Sequence, residues 1–116
     1  MILVVDDSKA MRMIVKRSLR AAGIEPDKID EAEDGSEGFQ KATSQDYDCI
    51  FCDWNMPRMS GIEFLKALRE SGKSTRFVMV TSIATPDIKE TGISAGAAAV
   101  IGKPFSPDDI KTALGL

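Results

Sequence analysis

Five short apolar runs recur along the chain, and each is followed by a longer stretch of helical character. The runs lie at residues 2–5, around Ile29, and at 49–52, 77–80 and 98–101. They are uniformly apolar rather than alternating, which is typical of strands buried on both faces of a sheet. Because each predicted strand leads into a helix, we predict an α/β fold in which helices cover both faces of one five-stranded parallel sheet. We expect a single domain over residues 1–116.

Capping signals mark the starts of three of the predicted helices. Ser8 precedes an amphipathic stretch, as an N-cap residue does. Ser60 and Glu63 form a capping-box pattern ahead of the third helix. Ser106 is followed by Pro107, which is favoured at the first position of a helix. These signals indicate where the turns between strands and helices lie. The candidate functional residues lie close to these turns.

Composition excludes several classes of function. The chain has 15 basic and 18 acidic residues, so it lacks the positive charge that nucleic-acid binding requires. It contains no histidine, which excludes histidine-based catalytic triads and histidine metal sites. No apolar run approaches the roughly 18 residues of a membrane span. With two cysteines and no signal peptide before Met1, we expect a cytoplasmic protein that binds neither nucleic acid nor membrane.

Polar residues end four of the five predicted strands. Asp6 and Asp7 follow the first strand, Asp53 ends the third, Thr81 ends the fourth, and the fifth leads into Lys103. In open α/β sheets, ligands bind outside the carboxyl ends of the strands. If strands one and three are neighbours, about 5 Å separates them. We therefore expect the three aspartates to lie within a few ångströms of one another.

Three carboxylates so close together require a counter-charge or a proton. Lys103 supplies one positive charge, which does not balance three negative ones. An oxygen-lined site with one or two carboxylates suits Mg²⁺, especially where a phosphoryl group supplies a further ligand. Thr81 adds a hydroxyl donor, and an aspartate carboxylate can itself attack a phosphoryl group. The residues therefore indicate a site for Mg²⁺ and a small phosphoryl group.

The ordered set of Asp6-Asp7, Asp53, Thr81 and Lys103-Pro104 resembles the receiver domains of bacterial response regulators. The segment 53–61, with the sequence DWNMPRMSG, looks most like the single-domain chemotaxis regulators. The resemblance covers the chain from the first strand to the last helix. It implies a flavodoxin-like, doubly wound sheet with the strand order 2-1-3-4-5.

The resemblance also implies a metal site. By position, Asp7 is expected to bind Mg²⁺ directly and Asp6 through water, while Asn55 offers its backbone carbonyl. Asp53 completes the set of metal ligands. These roles are carried over from the family and stay predictions at this point.

The resemblance implies a phosphorylation switch of a two-component system. Asp53 would accept a phosphoryl group from a sensor histidine kinase, Lys103 would pair with the acyl phosphate, and Thr81 would donate a hydrogen bond to a phosphoryl oxygen. The phosphorylated form would bind an output protein such as a flagellar motor component, and a phosphatase is a further expected partner. Such a domain catalyses only its own phosphorylation and dephosphorylation, so we do not expect a conventional enzyme.

One position departs from the family pattern. Three residues before the lysine the family usually carries an aromatic residue, whose rotamer follows the threonine on activation, and here that residue is Val100. A β-branched valine cannot move a ring between buried and exposed positions. We expect coupling to rely on displacement of residues 82–94, where Gly92 lowers helix propensity.

Two other functions share part of this pattern. An Mg²⁺-dependent phosphatase of the haloacid-dehalogenase type also uses an aspartate nucleophile, but it needs a second aspartate where this chain has Asn55. A flavin-binding protein of the same fold would need a Ser/Thr/Gly-rich loop after strand one, where Asp6 and Asp7 place negative charge instead. The signalling switch fits the residues better than either alternative.

Two smaller patterns have structural explanations. Cys49 and Cys52 form a C-x-x-C sequence, but residues three apart on a strand point to opposite faces, so we expect two buried thiols rather than a redox or metal site. Trp54 follows Asp53 and is expected to be half-exposed. The first helix carries a basic stripe that we interpret as a solvated surface, made of Lys9, Arg12, Lys16 and Arg20.

Overall fold

The computed structural model describes residues 1–115 and contains the predicted alternation of five strands and five helices. The strands are β1 Ile2–Val5, β2 Ile29–Ala32, β3 Cys49–Asp53, β4 Arg76–Thr81 and β5 Ala99–Gly102. The helices are α1 Lys9–Ala21, α2 Gly35–Ser44, α3 Gly61–Glu70, α4 Pro86–Ala95 and α5 Pro107–Leu114. A single 3₁₀ turn, Pro26–Lys28, precedes β2.

The five strands form one parallel sheet in the order β2-β1-β3-β4-β5, as the resemblance implied. β1 is therefore flanked by β2 and β3, and the order reverses beside it. Val5, the last residue of β1, pairs with Cys52, and Asp53 pairs with Val80. This register brings the residues that follow β1 and the last residue of β3 to the same edge of the sheet.

Each face of the sheet packs against its own apolar cluster. One cluster includes Phe64 and Phe77, whose rings meet edge to face with centroids 5.3 Å apart. The other includes Phe51 and Ile110 and lies beneath α1 and α5. The two free cysteines confirm that the sheet is covered on both sides, because Cys49 belongs to the second cluster and Cys52 to the first.

The predicted helix caps are present. The Ser8 hydroxyl accepts a hydrogen bond from the Met11 amide at 3.2 Å. Ser60 and Glu63 form a complete capping box at the start of α3. Ser106 caps α5 in the same way with Asp109, a capping box in which aspartate replaces the usual glutamate. Within residues 1–115, no helix is both long enough and apolar enough to cross a membrane.

Candidate functional site

Three carboxylates converge at the carboxyl ends of β1 and β3. One carboxylate oxygen from each of Asp6, Asp7 and Asp53 lies within 4.8 Å of the other two. Asp6 is 4% exposed and Asp53 is 8% exposed, whereas Asp7 faces solvent. The expected cluster is therefore present, with two buried carboxylates and one exposed carboxylate.

Backbone hydrogen bonds fix the loop that carries Asp6. Its amide donates to the carbonyl oxygen of Ala32 at 3.2 Å, which continues the pairing of β1 with β2 for one residue. Its Oδ1 accepts a hydrogen bond from the Ser8 amide at 2.9 Å. Since Ser8 is also the N-cap of α1, the start of this helix and the orientation of the Asp6 carboxylate are set by the same residue.

Lys103 reaches the cluster from the end of β5. Its Nζ lies 3.0 Å from Oδ1 of Asp53 and 3.9 Å from Oδ2 of Asp6. The lysine backbone is held by a hydrogen bond from its amide to the Thr81 carbonyl oxygen at 2.8 Å, and the Lys103-Pro104 peptide is cis. One ammonium group thus contacts two buried carboxylates at once.

Thr81 ends β4 next to β3 and is 3% exposed. Its hydroxyl oxygen accepts a hydrogen bond from the Ile83 amide at 3.1 Å, which holds the first turn of the β4–α4 loop. The structure places this hydroxyl at the same edge of the sheet as Asp53, since Val80 pairs with Asp53 in the sheet. Its role as a donor to a phosphoryl oxygen stays a prediction.

Burial perturbs one carboxylate strongly. The pKa of Asp6 is raised from 3.8 to about 6, first because burial disfavours its charged form. The charges of Asp53 and Asp7 raise it further, while the Ser8 amide and Lys103 oppose the change. At Asp6, burial together with the neighbouring carboxylates therefore outweighs the stabilisation of the charged form by the Ser8 amide and Lys103.

The donor set fits a hard divalent cation. Carboxylate oxygens are the ligands that Mg²⁺ prefers, and an exposed carboxylate such as Asp7 leaves room for the waters that Mg²⁺ keeps. No cysteine competes, because both thiols are buried in the apolar clusters. Asn55 lies two residues beyond Asp53 in the exposed loop between β3 and α3, and its backbone carbonyl as a ligand stays a prediction.

Trp54 links this edge of the sheet to α4. It is half-buried, as expected, and packs against the apolar cluster that contains Val100. A Cβ added at Gly92 in α4 would lie 2.5 Å from Cγ2 of Val100 and 3.3 Å from Cζ3 of the Trp54 ring. The close approach of α4 to β5 therefore depends on glycine at position 92.

The basic stripe of α1 is not uniformly solvated, so the interpretation from the sequence is wrong for Arg12. Its side chain is 12% exposed and donates to the Asp6 carbonyl oxygen at 2.7 Å and to Glu31 at 3.0 Å. The sequence offers one indication that Arg12 is not simply solvated, because α1 has basic residues and no acidic residue in its first turn. Helix N-termini ordinarily disfavour positive charge.

Comparison with known proteins points to one family. The family model of the response regulator receiver domain matches residues 2–115. The chain is 36% identical to the chemotaxis protein CheY1 of Helicobacter pylori, over 97% of this chain and 92% of that protein. It is also 36% identical to the sensor protein EvgS of Escherichia coli, over 97% of this chain but only 9% of the length of EvgS.

Solved structures agree with the sequence comparisons. The fold matches that of the Vibrio cholerae chemotaxis protein CheY4 with a TM-score of 0.84 and 38% identity, covering 98% of this chain and 94% of that chain. The receiver domain of the Francisella response regulator 1452 matches with a TM-score of 0.87 and 30% identity, covering 98% and 92% of the two chains.

Proposed function

The chain belongs to the response regulator receiver domain family, and from this membership we propose that it is a phosphorylation switch whose phosphoacceptor is Asp53. One observation carries the proposal. A carboxylate oxygen of Asp53 lies within 4.8 Å of those of Asp6 and Asp7, and its Oδ1 is 3.0 Å from the ammonium group of Lys103. Receiver domains typically bind Mg²⁺, and this arrangement supplies oxygen ligands for the ion and a separate cation for a phosphoryl group.

The proposed reaction is phosphoryl transfer from a phosphohistidine of a sensor kinase. A carboxylate oxygen of Asp53 attacks phosphorus, the new P–O bond forms, and the P–N bond breaks with its electron pair left on the imidazole nitrogen. Bound Mg²⁺ would neutralise negative charge on the phosphoryl oxygens. Such transfers depend mainly on positioning and charge neutralisation, which the residues of this site can provide.

The surrounding residues have distinct parts in this reaction. Asp7 and Asp53 would hold the ion directly, Asp6 would act through water, and Asn55 would offer its carbonyl. Lys103 exchanges its contact with the Asp53 carboxylate for one with the acyl phosphate, because its Nζ is already 3.0 Å from the acceptor oxygen. Thr81, buried at the end of β4, donates its hydroxyl to a phosphoryl oxygen.

We infer a biological setting that the named relatives support. CheY1 and CheY4 are chemotaxis proteins that match nearly the whole of this chain, which supports a role in chemotaxis or motility. The partners would be a histidine kinase as phosphodonor, an output protein such as a flagellar motor component, and a phosphatase. We place this activity in the cytoplasm and regard the chain as a switch rather than as a conventional enzyme.

The proposal is tested by separating phosphoryl capture from turnover. The purified protein is incubated with Mg²⁺ and either acetyl phosphate or p-nitrophenyl phosphate, and phosphoprotein and released nitrophenol are both measured. A switch captures one phosphoryl group per chain from acetyl phosphate and shows no sustained nitrophenol release. Continuous release of many nitrophenol molecules per chain would instead support the phosphatase of the haloacid-dehalogenase type and contradict the proposal.

A further inference from the structure

Arg12 occupies an electrostatically unfavourable position. It lies in the first turns of α1, where the helix dipole disfavours cations, and the first turn supplies no acidic residue to compensate. Its side chain is nevertheless 12% exposed rather than extended into solvent. Residues that break a local rule of this kind are concentrated at functional sites. The contacts of the guanidinium group show what compensates its charge.

The guanidinium group joins the end of β1 to β2. Its Nη1 donates to the carbonyl oxygen of Asp6 at 2.7 Å, and its Nε donates to Oε1 of Glu31 at 3.0 Å. Glu31 also pairs with Lys16 at 2.9 Å, and the hydrogen bonds from Lys16 and Arg12 lower its pKa. A planar guanidinium can make both contacts in fixed directions, whereas a lysine ammonium cannot span them in the same geometry.

The carbonyl group that Arg12 contacts belongs to the peptide between Asp6 and Asp7. Because a peptide unit is planar, holding its carbonyl oxygen also fixes the amide and Cα of the next residue. The Asp6 carboxylate is already held by the Ser8 amide at 2.9 Å. Asp7 is exposed and one of its carboxylate oxygens lies within 4.8 Å of those of Asp6 and Asp53, so the place of this carboxylate in the cluster depends on the backbone that carries it.

We propose that Arg12 is a positioning residue that orients Asp7 for Mg²⁺ binding by holding the Asp6–Asp7 peptide, with Glu31 fixing the guanidinium. The inference rests on the proposed function, because it takes Asp7 as a ligand of the ion. Arg12 does not touch the ion or the phosphoryl group in this account. It acts through the backbone of the loop between β1 and α1.

Charge and positioning have opposite effects on the affinity for Mg²⁺. Arg12 places a positive charge at the backbone of the loop that carries Asp6 and Asp7, so removing that charge alone would strengthen cation binding. Losing the orientation of Asp7 would weaken it. Residues that orient metal ligands are typically worth about 10- to 100-fold in metal affinity. The sign of the change therefore separates a positioning role from a simple electrostatic one.

The experiment measures the Mg²⁺ dissociation constant from the fluorescence of Trp54 in the full chain. We expect Arg12→Ala to raise the dissociation constant about tenfold. Arg12→Lys should recover only part of the lost affinity. Glu31→Gln, which keeps an oxygen acceptor but loosens the hold on the guanidinium, should raise the dissociation constant by less than Arg12→Ala does. The matched control is Arg17→Ala, an exposed arginine of the same helix, which should change it less than about twofold.

A second readout needs no metal. In the presence of EDTA, the backbone amide resonance of Asp7 should shift in Arg12→Ala and remain in place in Arg17→Ala, because only the first change releases the peptide. Unchanged or stronger Mg²⁺ binding by Arg12→Ala and Glu31→Gln would overturn the inference. If the wild-type protein itself shows no response to Mg²⁺, the proposed metal site fails instead, and the two failures are distinguishable. Should Arg12→Ala not fold, Arg12→Lys decides the question, because it keeps the positive charge and loses only the paired guanidinium contacts.

Discussion

The Nζ atom of Lys103 lies 3.0 Å from Oδ1 of Asp53, so the proposed phosphoacceptor is paired with a cationic side chain of the protein itself. The same ammonium is 3.9 Å from Oδ2 of Asp6. Lys103 and a divalent cation therefore stabilise the same negative charge. A bound divalent cation would reduce what the lysine contributes to neutralising the carboxylates and would leave the ammonium group available for a phosphoryl oxygen.

Replacing Lys103 should have opposite effects on metal binding and on chemistry. In Lys103→Met, the cluster loses its compensating charge, and we expect Mg²⁺ to bind about 3- to 10-fold more tightly. Phosphorylation by acetyl phosphate at saturating Mg²⁺ should slow by about tenfold or more. Lys73→Met is the control, since Lys73 pairs with an exposed aspartate, Asp46, at 2.8 Å. Weaker Mg²⁺ binding by Lys103→Met would contradict this account.

The raised pKa of Asp6 predicts a pH dependence of stability in the metal-free protein. The pKa is about 6 in the folded state against 3.8 ordinarily, so the folded state binds more protons than the unfolded state between these values. The contribution of Asp6 to the free energy of unfolding is fully present below about pH 4, and it is lost as the pH rises through about 6. The difference between these two pKa values corresponds to about 3 kcal/mol in the free energy of unfolding.

Asp6→Asn isolates that contribution, because its side chain is neutral throughout and its oxygen can still accept from the Ser8 amide. Denaturant unfolding in EDTA should show the variant gaining stability relative to wild type, by about 2 to 3 kcal/mol, between about pH 4 and pH 7. A stability difference that does not vary with pH would show that Asp6 does not titrate in this range.

Trp54 adjoins Asp53 and should report metal binding. We expect Mg²⁺ to change its fluorescence with weak affinity, because the ion keeps several waters in a site of this kind. Asp7→Ala should abolish the response. The same change should stabilise the metal-free protein slightly, by about 0.5 to 1 kcal/mol, since it removes a like charge from the cluster. A titration of Asp7→Ala that matches wild type would mean that Asp7 is not a ligand.

The strands and the helix caps were predictable from local patterns, whereas the convergence of the aspartates also required strands one and three to be neighbours. Uniformly apolar runs specify buried strands, and Ser8 and Ser60 specify where helices begin, because these signals act within a few residues of one another. The strand order came from the family resemblance rather than from periodicity. Arg12 was misjudged because its partner Glu31 is 19 residues away on β2, and no local pattern brings the two together.

The glycine at position 92 sets how closely α4 can approach β5. In Gly92→Ala, the new Cβ would lie 2.5 Å from Cγ2 of Val100, so we expect a loss of about 1 to 3 kcal/mol in the free energy of unfolding. Adding Val100→Ala should recover part of this loss by removing the opposing methyl groups. Thr91→Ala, at an exposed position of the same helix, serves as the control. Additive losses in the double variant would contradict the packing argument.

Activation should act on the same helix. Beryllofluoride with Mg²⁺ mimics the phosphoryl group, and we expect it to change hydrogen-exchange protection mainly over residues 82–94. Val100→Ala should leave that change largely intact, because Val100 has no ring to move. If Val100→Ala erases the response while beryllofluoride still binds, Val100 is part of the switch.

The most direct test of the central claim is the position of the phosphoryl group. Wild-type protein is incubated with Mg²⁺ and acetyl phosphate, digested, and mapped by mass spectrometry beside Asp53→Asn, a nearly isosteric control that removes the nucleophilic carboxylate. We expect one acid-labile acyl phosphate on Asp53 in the wild type, none when Mg²⁺ is chelated, and none in the variant. A phosphoryl group mapped to another residue of the wild type, or captured equally well by Asp53→Asn, would contradict it.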